Sequence, residues 1–190
     1  GLLSLARGLA LETKARGQEG DWDGAVGSVR DCLQTGRNLT INGLWSDQHY
    51  AWLIQATGLE ALDEVLATGE VSAEKLSEFA RWNETNRTGM QSLADSWAIE
   101  ANVTLALMRQ VTLEQYAAYM RQVVEWAAKP AHLRGAAPEK PWITKHVSFL
   151  DAPAFEHIAE YELINETCLA GMSIRCALEA YREREGRGPR

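Results

Sequence analysis

The sequence predicts an all-α fold of about seven helices, antiparallel hairpins stacked as an α-superhelix or an irregular bundle, ending in one long C-terminal helix. Three observations predict it. Apolar residues recur at spacings of three and four, not two. No stretch combines four or more alternating residues with hairpin turn chemistry, so almost no sheet is expected. The helical stretches are separated by short breaks, and short connections make neighbouring helices antiparallel.

Each element follows from local signals. The first periodic stretch gives a helix near 2–18. Asp21 then N-caps a second near 22–36, and Gly69 stops a third that runs 44–67. Ser72 caps a fourth over 73–87. Met90, Leu93, Ala94, Trp97, Ala101, Leu105 and Met108 form the apolar stripe of a fifth over 89–109. Thr112 and Gln115 have the spacing of a capping box. They open a sixth helix, 113–128, whose stripe is Leu113, Tyr116, Ala117, Met120, Val123, Val124 and Ala127. Lys129-Pro130, Gly135, Pro138 and Pro141 then interrupt all helical pattern, because proline lacks the backbone donor and clashes with the preceding turn. Asp151 caps the last helix, 152–184, with Pro153 in the first turn, where the missing N–H does no harm. The expected organisation is a single helical domain, 1–190, with an irregular Pro/Gly-containing loop at 129–150.

Composition bounds the function. The chain has 190 residues, 46% of them apolar, and a net charge of −7. That is an ordinary globular composition, which excludes a disordered chain, a collagen-like chain and a broadly basic nucleic-acid binder. No apolar run approaches the roughly 18–20 residues that span a bilayer, and the start does not read as a signal peptide. The abrupt ends fit a fragment, with a membrane anchor upstream left open. All the excess negative charge lies in residues 1–128, whereas residues 129–190 balance. Within the acidic chain the loop is cationic. Lys129, His132, Arg134, Lys140, Lys145 and His146 surround Trp142, with Glu139 the one acid.

That loop supplies the first candidate binding residues: Trp142, Arg134, Lys140 and Lys145. It either reaches to an anionic partner or folds onto the protein's own acidic helices. Trp45 and His49 come next. Asp47 and His49 open the third helix, and a carboxylate beside an imidazole can orient it as a general base. No nucleophile motif, phosphate loop or HExxH accompanies them, so no catalytic residue, metal or cofactor is assigned. The bland reading makes Trp45 and Trp52 core anchors, seven residues apart on one stripe with His49. Glu156, His157 and Glu160 share a helix turn and read either as a ligand set or as a solvated face. Of the three cysteines, Cys168 and Cys176 lie about 12 Å apart along one helix and cannot pair. Cys32 can pair with one of them only if its hairpin packs on the last helix; otherwise all three are read as buried reduced thiols. Asn38, Asn83, Asn86, Asn102 and Asn165 fall in N-x-T sequons. They are read as polar groups inside helix contacts, and a buried Asn165 needs a cross-helix hydrogen-bond partner.

Two segments resemble known families. Ala15, Gly17, Gly20-Asp21-Trp22, Gly24-Ala25-Val26, Val29, Cys32 and Leu33 resemble a tetratricopeptide-type helical hairpin. That resemblance implies an α-superhelix with a concave binding face. Cys176 to Pro189, through Tyr181-Arg-Glu-Arg-Glu-Gly186, resembles the helix-to-loop segment of uncharacterised helical, membrane-anchored proteins of the bacterial envelope. Pseudopilins share the segment in their N-terminal helix. Here it follows 175 residues, and the pilin reading is set aside. Together these imply a non-enzymatic scaffold that binds a protein or peptide, in an extracytoplasmic envelope setting. The alternative is a small helical hydrolase or ligand-binding bundle using His49 and Asp47, or Glu156, His157 and Glu160. Nucleic acid is not an expected partner, because the charge is of the wrong sign.

Overall fold

The structure, a computed structural model, describes residues 1–68, 71–107, 113–139 and 155–186, with the side chains of 104–107, 113, 115 and 155–159 left aside. Among the described residues the chain is all-α, without a strand. The helices are α1 (Leu2–Gln18), α2 (Trp22–Thr40), α3 (Trp45–Thr68), α4 (Ala73–Thr88), α5 (Leu93–Leu107), α6 (Leu113–Ala127) and the long α7 (Phe155–Glu185). A 3-10 turn at Ala131–Leu133 occupies the start of the expected loop. Gly69, Thr112 and Asp151 lie outside the described residues.

Helix starts follow short-range chemistry. Gly20 takes a φ of +78°, accessible to glycine without strain, and Asp21 Oδ1 then accepts the Gly24 N–H at 3.0 Å. Ser72 Oγ accepts the Lys75 N–H at 3.4 Å. The α5 start moves to Leu93 because Ser92 makes the cap, accepting the Asp95 N–H at 3.1 Å and donating to its carboxylate at 2.7 Å. α2 also differs from expectation, running to Thr40 and not stopping near 36. Gly36 is a point of close approach: an added Cβ would lie 2.9 Å from the Ala51 carbonyl of α3. The turn out of α2 comes later, where Asn42 adopts a φ of +56°.

The helices build two compact units. Unit 1 comprises Gly1–Asn38, Tyr50–Met90 and Asn165–Arg190, and unit 2 comprises Leu39–His49 and Gln91–Ile164. In unit 1, Val29 and Leu33 of α2, Leu62 of α3, Phe79 of α4 and Leu169 and Cys176 of α7 belong to one buried cluster. Burial of such side chains stabilises by about 1.5–3 kcal/mol each relative to exposure. A polar seam crosses this core. Asn83 donates to the Leu169 carbonyl at 2.8 Å and to Ser173 Oγ at 3.0 Å, and Asn165 donates to Gln55 Oε1 at 3.1 Å. Gln55 is thus the cross-helix partner a buried Asn165 requires. Asn86 is buried with them, whereas Asn38 and Asn102 are exposed.

Burial pushes the Cys32 thiol up to about 11 and the Cys176 thiol up to about 12. Cys168 is exposed, against the expectation that all three thiols are buried. It precedes Leu169, whose side chain occupies the inner face of α7, and the 100° step per residue turns Cys168 outward. No helix is long and apolar enough to cross a membrane among the described residues.

Candidate functional site

The described sequence-derived candidates fall in unit 2: Trp45, Asp47 and His49 in the first turns of α3, Arg134 after α6 and Glu160 in α7. Gly43 admits the tight entry to α3, since a Cβ would lie 2.4 Å from the Leu39 carbonyl. Asp47 Oδ2 accepts the Leu44 N–H at 2.8 Å, which satisfies a donor at the helix start and suits the positive end of the dipole. Gln48, buried one residue on, donates to the Gln91 carbonyl at 3.1 Å and to Ser96 Oγ at 2.9 Å. Gln91 returns the contact: its Oε1 accepts the Asn42 N–H at 2.7 Å and its Nε2 donates to Ser96 Oγ at 2.8 Å. This network locks the α2–α3 turn to the start of α5.

On that frame Trp45, half-buried, stacks on Trp97 of α5 with ring centroids 5.7 Å apart and planes 15° from parallel. His49 is half-buried and meets Tyr161 of α7 edge-on at 5.1 Å. Trp52, expected to share a face with them, is buried in unit 1. Glu100, one turn beyond Trp97, is half-buried. Burial first, and the Asp47 charge second, push its carboxyl above the usual carboxylate range. Its Oε2 is buried without a hydrogen-bond partner among the described residues.

Arg134 makes contacts within the chain. Its guanidinium donates to the Ala127 carbonyl at 2.7 Å and the Lys129 carbonyl at 2.8 Å, capping the C-terminal end of α6. It also pairs with Glu162 and lies 5.2 Å over the Trp126 ring. Trp126 Nε1 in turn donates to the Gly135 carbonyl at 2.9 Å. Arg134 therefore ties the start of the loop to α6 and α7. Trp142, Lys140 and Lys145 lie outside the described residues, as do the side chains of Glu156 and His157; Glu160 is exposed. No metal-ligating cluster occurs among the described residues.

Sequence reasoning missed a groove in unit 2. Ala98, Ala101 and Asn102 of α5 face Ala117, Met120, Arg121, Val124 and Glu125 of α6 across a groove of about 410 Å³. Three alanines keep it open. Arg121 and Glu125, exposed and one turn apart, put both charge signs on its rim. Ala101 of the α5 stripe and Ala117, Met120 and Val124 of the α6 stripe line the groove, which spacing within either helix does not reveal. Compared with known protein families, curated proteins and solved structures, the chain matches none.

Proposed function

We propose that this chain is a non-enzymatic helical scaffold that binds a protein or peptide, with the α5/α6 groove of unit 2 as its docking surface. The groove itself carries the reading. An alanine-floored channel with Met120 and Val124 along it and an Arg121/Glu125 rim suits the apolar face of an amphipathic helix bearing acidic and basic flanking residues. Met adapts to irregular apolar partners, and small residues let a partner backbone come close. The tetratricopeptide-like α1–α2 hairpin and the envelope-type C-terminal segment add to this reading an extracytoplasmic scaffold in the bacterial envelope. Trp142, Lys140 and Lys145 are then further contacts for an anionic part of the partner.

The test is selection from a displayed library of amphipathic helical peptides, followed by binding to Ala117→Trp, which fills the groove, and Arg121→Glu, which inverts its rim. Peptides that bind the native chain and lose at least tenfold in affinity on both variants support the reading. An empty selection, or binding indifferent to both variants, overturns it.

One observation favours the second reading, a small helical hydrolase or ligand-binding protein. Glu100, held toward its protonated form by burial and by the Asp47 charge, is a carboxyl of the kind general acid chemistry uses. Against it, Asp47 is engaged in capping α3 and His49 packs on Tyr161. A thermal-shift screen of small metabolites tests this reading. A ligand whose stabilisation disappears in Glu100→Ala establishes it, by mass action on the native state.

A further inference from the structure

The last helix carries two apolar stripes. The inner one, Leu169, Met172, Cys176 and Ala180, is buried in unit 1. On the other side Gly171, Ile174, Leu178 and Tyr181 follow at spacings of three, four and three, the a and d pattern of a helix seam. This second row faces water: Ile174 is 60% exposed, Leu178 41% and Tyr181 42%. An isolated exposed apolar residue needs no explanation, but a continuous row in helical register does.

The row is graded in size along its length. Gly171 contributes no side chain, and nothing lies within 4 Å of a Cβ placed there. Tyr181 is bulky and aromatic, and Ile174 and Leu178 between them are alike in volume. The geometry points to a second copy of this chain as the occupant, with its α7 antiparallel to this one. Antiparallel pairing seats Tyr181 of each copy in the hollow over Gly171 of the other and sets Ile174 against Leu178, every contact occurring twice by the two-fold symmetry. A parallel pair would set glycine on glycine and tyrosine on tyrosine, leaving a void at one end and crowding the other.

Charge selects the same arrangement. Glu166 and Arg184, both exposed, lie on one flank of the row at its two ends. Antiparallel copies bring each to the other, whereas parallel copies stack like on like. Four layers over about 15 Å of helix bury less than the roughly 800 Å² per partner of a standard interface, so the dimer is weak and concentration-dependent. This inference is independent of the groove in unit 2.

Sedimentation velocity of the native chain across roughly two decades of concentration is the first measurement, because mass action must shift the average from monomer to dimer. Leu178→Asp and Ile174→Asp should each remain monomeric throughout, with unchanged circular dichroism because both positions are exposed. Gly171→Leu should weaken the dimer at least tenfold although it adds apolar surface, because it fills the seat of Tyr181. Orientation is read by disulfide trapping in a Cys168→Ser background. A mixture of Ile174→Cys and Leu178→Cys chains should cross-link, while each alone should not. Like positions are offset about 6 Å along the axis, which together with the gap between axes exceeds disulfide reach. A native chain monomeric at every concentration, a dimer indifferent to the aspartates or to Gly171→Leu, or cross-linking of Ile174→Cys with itself each overturns the proposal.

Discussion

In unit 1 the ion pairs between helices lie at the surface: Lys14 to Glu64 at 2.8 Å, Arg30 to Glu78 at 2.9 Å and Lys75 to Asp23 at 2.9 Å, with the partners well solvated. In unit 2 the Arg134 side chain is 4% exposed and that of its partner Glu162 15%. Exposed pairs typically contribute about 0–1 kcal/mol, so unit 1 rests on its apolar cluster. Among the described residues unit 2 buries fewer large aliphatics and holds instead a few desolvated polar locks: Arg134 with Glu162 and two carbonyls, and Gln48 with Ser96 and the Gln91 carbonyl. The contrast teaches that the two units fail by different routes. Truncation breaks the first, and loss of one partner breaks the second.

Hydrogen exchange, which reports each unit separately, is the measurement best suited to breaking this comparison. Phe79→Ala should cost unit 1 about 3–5 kcal/mol through its cavity, seen as lost protection in α2, α4 and the second half of α7. Arg134→Ala should cost unit 2 about 3–5 kcal/mol, since it withdraws the guanidinium that faces the part-buried Glu162 and satisfies the Ala127 and Lys129 carbonyls. Protection would fall in α6 and in the Ala131–Leu133 turn, and a loss below 1 kcal/mol would put that pair on the same footing as the surface ones. Gln48→Ala should cost about 1–3 kcal/mol by stranding buried hydrogen-bonding groups, with the loss concentrated at the start of α5.

Glu100→Gln is the smallest effect and the one with a pH signature. A carboxyl raised in the folded state leaves the native form bound to more protons than the unfolded one, so its ionisation costs stability as pH climbs from the unfolded value through the raised one. Urea unfolding should therefore show Glu100→Gln more stable than the native chain at neutral pH, with the difference closing below the ordinary carboxylate range. A gap that stays constant across that interval would mean Glu100 is not desolvated.

Most of the fold was legible because helical stripes are local. Met90 to Ala101 and Tyr116 to Ala127 are read from spacing alone, and Asp21 and Ser72 cap as their positions require. What escaped the reading depends on residues far apart in sequence. The close approach of Gly36 to the Ala51 carbonyl, within a helix expected to end near 36, has no local trace. Gln48, Gln91 and Ser96 form a lock across more than forty residues, with no periodic trace. The two-unit organisation was equally hidden, because α3 and α7 pass from one unit's residues to the other's without any change in composition. At the candidate site, Trp45 and His49 were picked out by type. Glu100 was not, since an acid beside an apolar stripe reads as solvated until Asp47 and burial are known. The groove escaped because it exists only where α5 faces α6, and spacing within either helix does not show that pairing.

The asparagine seam of unit 1 has a consequence for how the protein can be made. Asn83, Asn86 and Asn165 each head an N-x-T sequon and are buried once α7 has docked on α3 and α4. In a host that glycosylates secreted chains, these three sites are open only while the chain is emerging, and a glycan attached then would occupy the volume into which Leu169 and Met172 must pack. Secretory yield then becomes a race between the transferase and the arrival of the last helix, which the chain supplies only after residue 155. Replacing Thr85, Thr88 and Thr167 with alanine removes the acceptor sequence and leaves each asparagine in place, and production in a host without that machinery removes the race altogether.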